Sequence, residues 1–136
     1  MKKFLSISLI LLLSICLVTG CGKKKEKAKD EPKPEIGVNT NEDVIKDQEL
    51  EVFKFEKTNL IYENGSSKLE TKVTNTSDTD ATLVQFRIHV MDGDREIANL
   101  PGYIGTTMKA GESRILTSTY GTDLTKATSI RYEIIK

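Results

Sequence analysis

The chain of 136 residues lacks tryptophan and has one histidine, three prolines and two cysteines. Both cysteines, Cys16 and Cys21, fall at the N-terminal end, and none follows Cys21. No disulfide and no cysteine-ligated metal can therefore hold whatever folds downstream, so its stability must come from burial. Missing Trp and a missing Cys pair also exclude an antibody-type domain. With His89 as the single histidine, there is no second His or Cys downstream to pair with it for metal binding or nucleophilic catalysis. No G-x-S-x-G element exposes a serine nucleophile.

Net charge is absent too, at a formal +0, but the balance conceals a division. Six lysines stand against three acids between Gly22 and Pro34, and 12 basic against 16 acidic residues from Glu42 onward. A basic stem thus carries a mildly acidic domain. A nucleic-acid reader would gather its Lys and Arg on the folded part, so nucleic acid is not an expected partner.

What is present begins with a targeting segment. Met1–Lys3 form a positive n-region and Phe4–Val18 an apolar run, followed by the small residues Thr19 and Gly20. This is the layout of a secretory signal peptide, and the run is short for a membrane span of about 20 residues. Residues 22–48 carry Pro32, Pro34, Gly37, many charges and almost no apolar periodicity. Such a segment buries too little surface to offset its ordering entropy. It reads as a disordered tether of roughly 25–30 Å on average and about 90 Å when drawn out. Asn41 could cap one helical turn over residues 42–46.

From Leu50 the pattern turns to β. Apolar residues alternate at Phe53 and Phe55, at Leu69 and Val73, and most cleanly at Val84, Phe86, Ile88 and Val90. Asn64-Gly65 marks a two-residue hairpin, Asp92-Gly93-Asp94 a turn, and Lys109-Ala110-Gly111-Glu112 another. Glu96–Leu100 is a weaker strand ended by Pro101-Gly102, and 114–120 and 129–135 complete about seven short strands. A helical turn capped by Thr122 or Asp123 fits residues 123–127. The spacing predicts an all-β, immunoglobulin-like antiparallel β-sandwich over residues 49–136. Its expected core is Phe53, Phe55, Leu60, Leu69, Val73, Val84, Phe86, Ile88, Val90, Ile97, Leu116, Ile130, Tyr132 and Ile134. His89 falls on the polar face of its strand and is expected to be exposed.

Val18-Thr19-Gly20-Cys21 resembles the lipobox of bacterial lipoproteins. The resemblance implies removal of residues 1–20 by cleavage between Gly20 and Cys21, and a diacylglyceryl group on the Cys21 thiol. Two acyl chains anchor a protein stably where one does not. Lys23, Lys24 and Lys25 would add attraction to anionic lipid, or serve as a solvated spacer. The implied location is a bacterial cell membrane, with the domain on the extracytoplasmic side. Lys72–Ile97, KVTNTSDTDATLVQFRIHVMDGDREI, resembles FxLYD-like and related immunoglobulin-like modules of such lipoproteins. Val73-Thr74-Asn75, Ile88–Asp92 and Lys109–Glu112 hold the places of that pattern. It implies a fold and no catalytic residue.

The functional expectation is a non-catalytic binding or accessory module, without cofactor or metal, that holds a protein or cell-wall partner near the membrane. The alternative is an inhibitor or regulator of secreted proteases acting through residues 100–109. Tyr103, Ile104 and Met108, in a Gly- and Thr-rich loop, are the candidate binding residues: exposed, they would form an apolar patch; turned inward, they would close one end of the sandwich.

Overall fold

Phe53 and Phe55 begin the longest strand among the described residues of the protein, whose computed structural model describes residues 35–82 and 85–135. In chain order the elements are β1 (Ile36–Val38), α1 (Glu42–Ile45), β2 (Gln48–Leu50), β3 (Phe53–Glu63), β4 (Ser66–Asn75), β5 (Ala81–Thr82), β6 (Gln85–Asp92), β7 (Arg95–Gly102), β8 (Thr107–Met108), β9 (Ser113–Tyr120) and β10 (Ser129–Ile135). All strand pairs described are antiparallel. One sheet runs β1-β3-β4-β9, with β2 also on β3; a second runs β10-β6-β7; β5 and β8 form a small ribbon. The protein is an all-β sandwich.

Phe53–Glu63 is one continuous strand with a bulge. Register passes from Glu56 opposite Lys72 to Asn59 opposite Glu70, so one extra residue is absorbed. Lys57 takes the left-handed φ of 55° that this kind of bulge uses. The inserted residue reverses the alternation: Phe53 and Phe55 face inward before it, Thr58 and Leu60 after it. Asn64 and Gly65 then turn the chain with φ 52° and 83°, as the two-residue hairpin requires.

The core lies between the two main sheets. Phe55 of β3 stacks on Tyr132 of β10 with centroids 3.9 Å apart and planes at 9°. Phe86 of β6 meets Phe55 and Phe53 edge-on at 5.0 and 5.7 Å. Each such ring withdrawn from water contributes on the order of 1.5–3 kcal/mol. The Tyr132 hydroxyl stays inside, 3.4 Å from Thr58 Oγ1, which lies 3.0 Å from Thr71 Oγ1. Burial pushes the Tyr132 phenol above its ordinary range. Eleven expected core residues are buried; Ile97 and Ile134 pack partly against the core, and Val84 lies outside the described residues. Val44, Ala98, Leu100, Ile104, Met108, Leu124 and Ala127 join them.

The largest departure from expectation is at the N-terminal border of the domain. Residues 35–48, expected in the disordered tether, belong to the sandwich. β1 pairs with the far end of β3, Ile36 opposite Glu63. The buried Asn39 donates its amide to the Thr125 and Ala127 carbonyls at 2.9 and 2.8 Å. Asn41 caps α1 as expected, its side chain accepting from Asp43 N. That turn delivers Val44 into the core, fully buried. Gln48 Nε2 then donates to the Ile130 carbonyl of β10 at 2.8 Å, and β2 returns to β3. The segment bridges the edge strands of both main sheets, which is why so polar a stretch is ordered: its few apolar and amide groups meet backbone that would otherwise be unpaired. Of the tether expected over residues 22–48, residues 35–48 are thus part of the sandwich, and residues 22–34 lie outside the described residues.

β7 continues through Pro101 and Gly102 rather than stopping before them. A proline fits there because β7 is the edge of its sheet. Its carbonyl accepts from Ser118 Oγ of β9 at 2.8 Å, a link from one main sheet to the other. Residues 123–127 form a turn rather than a helix, with Asp123 Oδ1 accepting from Thr125 N and Ala127 N donating to the Leu124 carbonyl.

Candidate functional site

The expected cleavage site Gly20-Cys21, with the expected lipidation at Cys21, and Lys23, Lys24 and Lys25 behind it lie outside the described residues. The candidate binding loop does not hold together as a surface patch. Tyr103 is 62% exposed, but Ile104 is 8% and Met108 0% exposed. Ile104 and Met108 belong to the core instead, with Ala81 of β5 packed against it. The loop is pinned by Arg114, whose guanidinium donates to the Ile104 and Thr107 carbonyls at 2.7 and 2.6 Å and to Glu112 at 2.8 Å. Gly105, at φ 106°, lies against that guanidinium where a side chain would not fit. The Arg114 hydrogen bond, together with the Lys109 amide, holds the Glu112 carboxyl below its usual range.

Asn75 explains the polar loop that follows β4. It is fully buried. Its Nδ2 reaches the carbonyls of Thr79, Met108 and Lys109 at 2.9–3.2 Å, and its Oδ1 accepts from Ser77 N and Oγ. One side chain thus fastens two loops. An asparagine closing a strand before a polar loop has this physical role here.

A cluster of titratable side chains lies on the outer face of the β10-β6-β7 sheet. His89 sits on the middle strand, opposite Arg131 on one side and Asn99 on the other. It is only 7% exposed, contrary to the expectation of an exposed residue. The longer side chains of both neighbouring strands close over it. Its Nδ1 lies 2.5 Å from Glu96 Oε2 on β7, and its Nε2 lies 2.9 Å from Glu133 Oε2 on β10. Asn99 Nδ2 stands 3.3 Å from Nδ1 and 3.2 Å from Glu96 Oε1. The hydrogen bond with His89 is the main cause holding both the Glu96 and Glu133 carboxyls below their usual range. Asn99 adds to it at Glu96, and the charges of Arg131 and Arg87 contribute less.

A bulge between Val90 and Met91 brings Glu96 to this place. Sequence alone shows a histidine on a strand and acids on others, but not this register. The geometry limits the chemistry. The two carboxylates approach opposite nitrogens of one ring, so they do not converge on a common cation. Among the described residues, no cluster of three or more His, Cys, Asp or Glu has metal-binding geometry. Among the described residues the hydrogen-bond partners of the two ring nitrogens are Glu96, Glu133 and Asn99.

The outer face of the other main sheet carries two shallow grooves of about 380 and 340 Å³. Lys57, Lys72 and Ile115 line the first, Ile61, Lys68 and Thr119 the second, and Glu70 both. Lys54 and Lys72 flank Glu56 on this face and hold its carboxyl below the usual range. Among the described residues no helix is long and apolar enough to cross a membrane. In comparisons with family models, with curated proteins and with solved structures, nothing matches this chain.

Proposed function

We propose that this chain is a bacterial lipoprotein of the extracytoplasmic membrane face, cut behind Gly20 and lipidated on Cys21, whose immunoglobulin-like sandwich serves as a non-catalytic binding or accessory module. The observation that carries this reading is Val18-Thr19-Gly20-Cys21 behind a positive n-region and an apolar run, with lysines following at once. The resemblance of Lys72–Ile97 to FxLYD-like modules supports the same class of domain. The polar cluster at His89 is engaged within itself, which favours binding over catalysis. The partner is a protein or cell-wall component.

The early start of the sandwich tightens this picture. Only about 14 residues separate Cys21 from Ile36, a stretch of at most about 50 Å and roughly 20 Å on average as a flexible coil. The domain therefore works close to the lipid surface. A protease regulator acting through residues 100–109 is less well supported, since Tyr103 is the one candidate contact residue of that loop that faces solvent. Cell fractionation tests the reading. The native chain should partition with membranes after loss of residues 1–20, and Cys21→Ser should retain them. An identical N-terminus and identical partitioning in both would overturn it.

A further inference from the structure

An imidazole with a carboxylate at each nitrogen can donate to both only as the imidazolium. The neutral ring has one N–H, and its other nitrogen then presents a lone pair to whichever carboxylate faces it. At His89 the two sides are not equivalent. Nε2 has Glu133 as its one hydrogen-bond partner among the described residues. Nδ1 has Glu96 at 2.5 Å, and also the Asn99 amide at 3.3 Å. That amide already donates to Glu96 Oε1 and has two protons to give. A substitute donor is thus in place at Nδ1 and none at Nε2.

We infer that His89, Glu96 and Asn99 form a proton-operated clasp on the outer face of the β10-β6-β7 sheet. With the ring doubly protonated, β6 is tied to β10 through Glu133 and to β7 through Glu96. When the ring gives one proton to water, the proton leaves from Nδ1. Asn99 then donates one N–H to the bare nitrogen and keeps Glu96 Oε1 on the other, while Glu96 Oε2 loses its partner on the ring. Nε2 keeps its proton and its bond to Glu133. The charged groups around the ring are Arg87 on its own strand, Glu96 on β7, and Arg131 and Glu133 on β10. These four balance one another, so the patch changes from one net positive charge to none. The clasp does not depend on the lipoprotein reading.

Because His89 is the single histidine, selective ¹⁵N-histidine labelling of the full chain in detergent micelles, without a histidine tag, reports on this ring alone. The expected result is one transition, with the Nε2–H tautomer above it. The Asn99 side-chain amide and the Glu96 carboxyl should shift with the same midpoint, and Glu133 should stay bonded throughout. Asn99→Ala removes the substitute donor and should leave a mixture of tautomers above the transition. Dispersion of the backbone amide spectrum checks that the variant is folded. An Nδ1–H tautomer, Asn99 and Glu96 signals that ignore the ring's transition, or an unchanged tautomer in Asn99→Ala would each overturn the clasp.

Discussion

The side-chain amide of Asn39 donates to the Ala127 carbonyl at 2.8 Å, across 88 positions of sequence. The same amide satisfies the Thr125 carbonyl, while its oxygen accepts from Asn41 N. Asn39→Ala would leave two carbonyls without a donor, and a buried polar group left so costs about 1–3 kcal/mol. Asn39→Asp should be no better, since a carboxylate cannot donate. Urea denaturation of each variant checks both.

The contribution of residues 35–48 can be tested by removing them. A chain beginning at Leu50 loses Val44 from the core and uncovers the β3 and β10 edges. It should fail to fold cooperatively, whereas a chain beginning at Glu35 should fold. Val44→Ala alone should cost about 2 kcal/mol, from lost burial and the cavity left behind. Thermal melts followed by circular dichroism distinguish these outcomes.

Asn75→Ala removes the side-chain bonds by which this residue fastens the loop after β4 to the turn before β9. The expected loss is about 3 kcal/mol, at the upper end for a buried polar group. Crosslinked loops should also separate, so amide exchange at Ser77 and Lys109 should rise together. Protection unchanged at either residue would show that the backbone bonds from Asn75 to Glu112 and Gly111 hold the turn alone.

Tyr103 and Met108, neighbours in one loop, should respond in opposite ways to truncation. Met108→Ala should destabilise by about 2–5 kcal/mol, as for a buried Met. Tyr103→Ala should lie within about 0.5 kcal/mol of the native chain, as exposed positions do. Equal effects would contradict the described loop.

Acid should weaken the fold through its carboxylates. Glu56, Glu96, Glu112, Asp123 and Glu133 are all held below their ordinary values, chiefly by side-chain hydrogen bonds. Each binds its proton less readily folded than unfolded. The stability they contribute is complete above the ordinary carboxylate range and is lost as pH falls through it toward the lowered values. The melting temperature should therefore decline below about pH 4.5. His89→Val removes the main cause at Glu96 and Glu133, so its decline should be shallower. The same slope in both would contradict the pairing.

Much of this fold is legible in the sequence, because alternation in a two-layer sandwich has a direct meaning. Val84–Val90, Asn64-Gly65 and the turns at 92–94 and 109–112 each point to their elements. Three features escape such reading. The parity reversal in β3 depends on one bulge residue, Lys57, which carries no signal of its own. The early domain border depends on amide side chains, Asn39 and Gln48, whose partners lie more than 80 positions away. The His89 cluster depends on register between three strands, and a shift of one residue would turn the same side chains apart.

The proposed anchor at Cys21 would determine where all of this operates, and intact mass spectrometry of the protein extracted from its native membrane tests it most directly. The account predicts a chain that begins at Cys21 and carries a diacylglyceryl addition, with both features lost in Cys21→Ser. A mature protein that retains residues 1–20, or begins at Cys21 without added lipid, would contradict it.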